Sequence, residues 1–240
     1  MSDCLARDIG LNRAAAFQLK RFGHDGHPVL VVDQLLSDPD SLVESAAKAS
    51  YVSPRTYYPG VQAPLPVGYI PAVVGALRPF LTKVFGLSPQ AHLDHFGFFA
   101  LATTRREELN LVQTVPHIDT TEPSRLAFLH YLSRKAYGGT AFFRHRATGF
   151  EAVTPQRQQA YEHQVKTELA ARSDETPTYA GPESRDYEQT GAVEGVFNRL
   201  IVYRSNCLHS AVLDGSSLST DPRSGRLTAN SFIGIAGTRI

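Results

Sequence analysis

A chain of 240 residues with 42% hydrophobic and 20% charged residues has the composition of an ordinary soluble globular protein, long enough to bury a core as one large domain or two small ones. Its formal net charge of +1 offers no basic stripe for nucleic acid and no field for an anionic membrane, and no window approaches the roughly 18 uninterrupted apolar residues of a membrane helix. Two cysteines, Cys4 and Cys207, exclude a disulfide framework and a cysteine-based zinc site, and the charged N-terminus MSDCLARDIGLNR is unlike a signal peptide, so a cytoplasmic location is expected.

The first predicted element is Pro28–Asp33 (PVLVVD), apolar and β-branched, which reads as a buried strand. Asp38 or Asp40 is placed to cap a helix through SLVESAAKAS, whose alanines favour helix. Proline and glycine then crowd VSPRTYYPGVQAPLPVG, where a loop without regular structure is expected. Across Pro71–Phe85, Val74, Leu77, Phe80, Leu81 and Val84 recur at helical spacing and predict a second amphipathic helix.

Beyond about residue 92 the pattern changes to short aromatic and branched segments: HFGFFALAT, LNLVQTVPHID, RLAFLHYLS, TAFFRH, NRLIVYR, HSAVLD and RLTANSFIGIAG. Several short strands with turn signals between them argue for a β-sandwich or barrel. Thr154–Pro155 reads as an N-cap with proline at the first helical position, so QRQQAYEHQVKTELAAR should be helical. SDETPTYAGPESRDYEQTG after it is polar and reads as irregular. Residues 147–194 are therefore expected to be an insertion between two strands, of a kind that often forms a lid. A single domain follows, 1–240, in which helices and loops of 1–94 support a mainly β core of 95–240.

Within that core, His117-Ile118-Asp119 puts an imidazole and a carboxylate two residues apart, on one face if the segment is extended. Two such ligands plus a distant histidine make a facial triad that holds a divalent ion with positions left open. H-x-D by itself is a weak signal, and the chain carries a second copy, His92-Leu93-Asp94, with His95 beside it. What separates the two copies lies downstream. The His117 copy is followed by RLAFLHYL, by Gly138-Gly139, by TAFF, by NRLIVYRSNCLHSAV carrying His209, and by GRLTANSFI carrying Arg226.

The order H-x-D, Y-L, G-G, apolar strand, H-S-A-V, G-R-x-T resembles the Fe(II)/2-oxoglutarate dioxygenase superfamily, most of all its prolyl-hydroxylase-like branch, over residues ~95–240. That resemblance implies a mainly β fold with supporting helices around a double-stranded β-helix (jelly-roll, cupin-like) core. It implies Fe(II) and 2-oxoglutarate as cofactors, with His117, Asp119 and His209 as iron ligands. Arg226 matches the basic residue whose planar fork grips the far carboxylate of 2-oxoglutarate. Thr228 on the same strand face matches a helping hydroxyl, and Tyr131 matches a phenol set against that carboxylate. Arg223 is a competing arginine three residues earlier. The implied reaction is hydroxylation of an amino acid, a peptide residue or a small metabolite, with succinate and carbon dioxide formed. A carboxylate at position 119 argues against halogenation.

Three features depart from the family pattern: the 147–194 insertion, Phe98-Phe99 where a polar cofactor contact is common, and a long loop from Val212 to Gly225. For the substrate there are hints only, in Arg105, Arg106, Arg144 and Arg146, which border the strands, and in the Tyr57-Tyr58-Pro59-Gly60 loop. The expected partner is a small molecule or peptide, with no nucleic acid and no membrane, and a homodimer is allowed. Three other readings stand beside this one: a cupin-like metal enzyme that does not use 2-oxoglutarate, a non-catalytic binding protein on the same fold, and a site at His92, Asp94 and His95 with His117 structural.

Overall fold

The computed structural model describes residues 9–54, 58–172, 179–213 and 218–236. Strands β1 (Ala16–Phe22) and β2 (His27–Asp33) form a hairpin, followed by helix α1 (Pro39–Lys48), strand β3 (Gly60–Pro64) and helix α2 (Tyr69–Phe85). Then come β4 (Leu93–Ala102), β5 (Leu126–Tyr131), β6 (Thr140–His145), α3 (Pro155–Ala170), β7 (Tyr187–Val193), β8 (Arg199–Arg204), β9 (His209–Ala211) and β10 (Arg226–Ile235).

Among the described residues the strands make two antiparallel sheets. One has the order β1-β2-β8-β5-β10-β4-β3 and the other β7-β6-β9. An isolated antiparallel bridge between His117 and His209 adds the His117 segment beside β9. From β4 onward the chain crosses between the sheets almost strand by strand, so neighbours within a sheet are distant in sequence. That winding is a double-stranded β-helix, and the fold is mainly β with supporting helices.

Period-two alternation decides which side chains face which layer. In β5, Leu126 and Phe128 pack with Leu227, Ala229 and Ile233 of β10 against α1 and α2. Ala127 and Tyr131 face the other way and meet Phe142, Val193, Ile201 and Tyr203 between the sheets. The outer face of the small sheet, Ala141, Phe143 and Tyr187, packs on Tyr161 of α3. The layers therefore run helices, large sheet, small sheet, helix.

Several sequence expectations hold and several need correction. Asp38 caps α1, its side chain accepting the N–H of Ser41 at 3.2 Å. Pro79 lies inside α2 on its exposed side without ending the helix. The loop expected across VSPRTYYPGVQAPLPVG is not all loop: β3 lies within it as an edge strand ending at Pro64, where a missing N–H costs nothing. The expected strand Pro28–Asp33 is β2, and residues 1–94 supply two further strands besides helices and loops, β1 and β3, so the large sheet is extended at both ends. LNLVQTVPHID is a 3-10 turn, Leu111–Thr114, capped by Asn110 and Gln113, with extended pairing only at His117. Finally, Tyr187–Val193 belongs to the small sheet beside β6, so the segment interposed between core strands stops at Asp186. Its helix α3 is tied down, with the Tyr161 hydroxyl donating to the carbonyl of Pro116 at 3.3 Å.

Candidate metal and cofactor site

His117 and His209 face each other across a two-way backbone pair, each N–H donating to the other's carbonyl at 2.9 Å. Asp119 is fixed two residues further on by its own N–H, which donates to the carbonyl of Ser205 at 2.8 Å. This pairing puts both imidazoles and the carboxylate on one side. One ligand atom from each of His117, Asp119 and His209 lies within 4.8 Å of the others. The ring centroids of the histidines are 4.4 Å apart, and His209 Nε2 is 3.7 Å from Asp119 Oδ1.

The protonation pattern suits a metal. His209 Nδ1 sits 3.0 Å from the carbonyl of Cys207, so Nδ1–H donates there and Nε2 keeps its lone pair facing His117 and Asp119. Burial lowers His209 to a pKa of about 4. Burial and the neighbouring His209 bring His117 to about 4 as well. Burial raises Asp119 to about 6. Protein packs around these side chains although His117 and Asp119 still border solvent, which leaves an approach for ligands. Two neutral imidazoles and a carboxylate whose charge is poorly compensated are the donor set that a divalent cation stabilises.

Arg226 opens β10 and is 5% exposed. Its Nη2 donates to the carbonyl of Gly139 at 3.2 Å, while its buried Nε has no hydrogen-bond partner. Among the described residues no carboxylate lies within ion-pair distance of it. Thr228, on the same face of β10, is directly opposite Tyr131 in the strand register. The Tyr131 hydroxyl donates to Thr140 Oγ1 at 2.7 Å, and burial raises its pKa to about 12 against the opposing charge of Arg226. Thr140 and Phe142 share a face of β6, and Phe142 pairs with His209. Arg226, Thr228 and Tyr131 therefore line the interior next to the triad. From Gly139 to Phe142 is three residues of extended chain, roughly 10 Å.

The competing candidates fall elsewhere. Arg223 is on the surface, forked onto Glu44 with two bonds of 2.7 Å. Asp94 pairs with Arg125 at 3.3 Å, and His92 and His95 are exposed, so the second H-x-D gathers no ligand cluster among the described residues. Arg144 lies 3.7 Å from Glu188, and Arg105 and Arg146 are exposed, so these cations do not converge. Tyr57, Cys4 and the side chain of Arg106 lie outside the described residues. Gly138-Gly139 leads into β6, with Gly138 at φ +91° and the backbone of Val193 and Gly195 packed where a side chain at Gly139 would project.

Sequence reasoning missed two contributors, Tyr203 and Asn230, and read Tyr58 only as part of a loop offering substrate surface. Tyr203 is buried and meets His209 edge-on with centroids 4.8 Å apart. Burial holds its phenol well above the usual range, and the Asp119 charge adds to this. Asn230, two residues past Thr228 on β10, has a buried Oδ1 without a partner. Tyr58 stands near enough to Arg226 to feel its charge. In Tyr203 and Asn230 the only sequence signal was alternation along β8 and β10, which says inward but not toward what.

A model of a family of unknown function, DUF6445, matches residues 13–233. The chain belongs to this family. No curated protein matches the sequence at a significant level. Similar solved structures include the non-heme α-ketoglutarate-dependent epimerase SnoN from nogalamycin biosynthesis, at 13% identity and a TM-score of 0.48, covering 87% of this chain and 78% of that one. HygX from Streptomyces hygroscopicus, with nickel and 2-oxoglutarate bound, is 14% identical with a TM-score of 0.47, covering 89% and 85%. An N-substituted L-amino acid dioxygenase from Burkholderia ambifaria is 9% identical with a TM-score of 0.39, covering 92% and 94%. Among the described residues no helix is long and apolar enough to cross a membrane.

Proposed function

We propose that this chain is an Fe(II)- and 2-oxoglutarate-dependent oxygenase, akin to the prolyl-hydroxylase branch, that hydroxylates an amino acid, a peptide residue or a small metabolite. The observation that carries the reading is Arg226: a buried guanidinium, free of any described carboxylate, facing the same interior as a three-residue metal cluster. A buried cation of this kind is costly unless an anion meets it. Its roughly 10 Å offset from the His209 level suits a short dicarboxylate gripped at one end and chelated at the other. A cupin-like enzyme without 2-oxoglutarate has no use for such a residue.

In this reading His117, Asp119 and His209 would hold the iron, and dioxygen would be the oxidant for C–H hydroxylation, with 2-oxoglutarate supplying two electrons as it goes to succinate and carbon dioxide. The residues of the chain do the rest. Cys207 fixes the tautomer of His209 through its carbonyl. Arg226 would bind the distal carboxylate through its guanidinium, and Thr228 lies beside it on the same strand face. Tyr131 braces Thr140 and places an apolar ring along the pocket wall. Phe142 and Tyr203 pack against the metal side and keep water away from it.

The test is anaerobic Fe(II) binding followed by 2-oxoglutarate-dependent succinate formation. Wild type should bind one ferrous ion at the triad and form succinate, slowly even without a prime substrate. Asp119→Ala should lose both. Iron binding with no response to 2-oxoglutarate would remove the co-substrate from the reading.

A further inference from the structure

The turn between β1 and β2 brings a second set of ligating side chains together, near enough to Cys207 for Glu151 and Asp25 to act on its thiol through their charge. Asp25 and His27 of the hairpin meet Glu151, which lies 124 residues beyond His27, and one ligand atom from each lies within 4.8 Å of the others. Glu151 is 3% exposed. Its carboxylate accepts the backbone N–H of His24 at 2.7 Å and of Asp25 at 3.1 Å. Gly23, at φ +74°, lies so close over that carboxylate that a Cβ there would collide with it. The hairpin turn is thus shaped around a buried carboxylate.

His27 Nε2 is buried and makes no hydrogen bond. It is 3.6 Å from Asp25 Oδ2 and 3.8 Å from Glu151 Oε2. These separations are too long for hydrogen bonds. They are close to the edges of a coordination shell, because ligand atoms about 2.1 Å from a tetrahedral ion stand roughly 3.4 Å apart. The His209–Asp119 pair of the principal triad shows the same spacing, 3.7 Å. Among the described residues neither nearby arginine forms an ion pair with the cluster, although both act on His27 through their charge. Arg204 donates to the carbonyls of Pro123 and Phe85, and Arg157 donates to the carbonyl of Ala152 and lies over the ring of Phe150.

We propose that Asp25, His27 and Glu151 form a second metal site, taking a borderline divalent ion of the zinc class with a structural role. One imidazole and two carboxylates favour such an ion over calcium or magnesium, which take oxygen ligands alone. Asp25 faces solvent, so water completes the shell. The consequence reaches the principal site through the backbone. The carbonyl of Glu151 accepts the N–H of Leu208 at 2.8 Å, Ala152 bridges Cys207, and the carbonyl of Cys207 holds His209. An ion at Glu151 ties the β1–β2 hairpin to the segment that presents His209.

The proposal stands apart from the oxygenase reading, and its test is built to remain so. Full-length protein, stripped with chelator, is titrated with Co(II) and with Zn(II) in a His117→Ala/Asp119→Ala background that removes the principal triad. One equivalent should still bind, with d–d absorption characteristic of nitrogen and oxygen ligands for Co(II) and a rise in unfolding temperature for Zn(II). Adding His27→Ala should abolish both. Asp25→Asn, on the exposed turn, should weaken binding at least tenfold in a protein whose circular dichroism is unchanged. Loss of all metal from the triad-less protein, or an equivalent that survives His27→Ala, overturns the proposal.

Discussion

Replacing Arg226 by methionine separates a binding role from a structural one. In the wild-type fold the guanidinium is 5% exposed, with one bond to Gly139 and an unpartnered Nε. A buried charge so poorly compensated contributes little to stability, so Arg226→Met should leave the ligand-free protein equally stable or about 1 kcal/mol more stable. The effect on 2-oxoglutarate should be large. Each hydrogen bond to a charged group is worth about 1.5–3 kcal/mol, so two parallel bonds amount to roughly 3–6 kcal/mol. At about 1.4 kcal/mol per tenfold, affinity should fall by roughly 100- to 10,000-fold. Arg226→Lys keeps the charge but not the fork and should lose about 10- to 100-fold. Anaerobic calorimetry of 2-oxoglutarate binding to the Fe(II)-loaded variants gives the first number, and thermal unfolding of the metal-free proteins the second. A methionine variant that binds iron normally and 2-oxoglutarate within about threefold of wild type would refute the assignment. So would one that simply unfolds, because the reasoning requires the arginine to be dispensable for folding.

Two further outcomes follow from the same geometry. His92→Ala should retain ferrous iron fully while His117→Ala loses it, as read by metal content after gel filtration, because only the second removes a member of the clustered triad. His130 predicts an acid limb of stability. It is fully buried between the Tyr69 hydroxyl at 2.9 Å and Asn198 Oδ1 at 3.1 Å, so Nε2–H donates to Asn198 and Nδ1 accepts from Tyr69, which fixes the neutral form. Burial lowers its pKa from 6.5 to about 4, against a smaller upward pull from Asn198. The unfolded chain takes up this proton below pH 6.5 and the folded chain does not. Stability from this group is therefore present above pH 6.5 and declines as pH falls toward about 4, by about 3 kcal/mol in all. Urea unfolding of metal-free wild type and His130→Gln across that range should show a shallower decline in the variant, and equal slopes would sink the assignment.

Much of the core was legible because its strands obey period-two alternation over runs with few breakers. TAFFRH matches β6 to the residue, and RLIVYR and RLTANSFIGI match β8 and β10. The edge strands were not legible. β1 and β3 carry polar residues and proline, and such sequences take strand geometry only when a neighbour offers a row of backbone groups to pair with. β7 was hidden for the same reason: YEQTGAV has weak strand character of its own and is held by β6.

The candidate site divides along the same line. Sequence alone determined the chemical types available, an H-x-D pair, a late histidine and an arginine opening the last strand, because residue chemistry and two-residue spacing are local properties. Only the tertiary structure decided which copy joins a cluster of ligating side chains. Pairing of His117 with His209 gathers one H-x-D onto a ligand face, whereas Asp94 is spent on Arg125, and packing buries Arg226 while Arg223 stays on the surface with Glu44. Tyr203 against His209, and Asp25 and His27 against Glu151, are contacts between residues made neighbours by the crossing of strands between two sheets. No local pattern encodes them, since the free energy that brings them together belongs to the packed core as a whole.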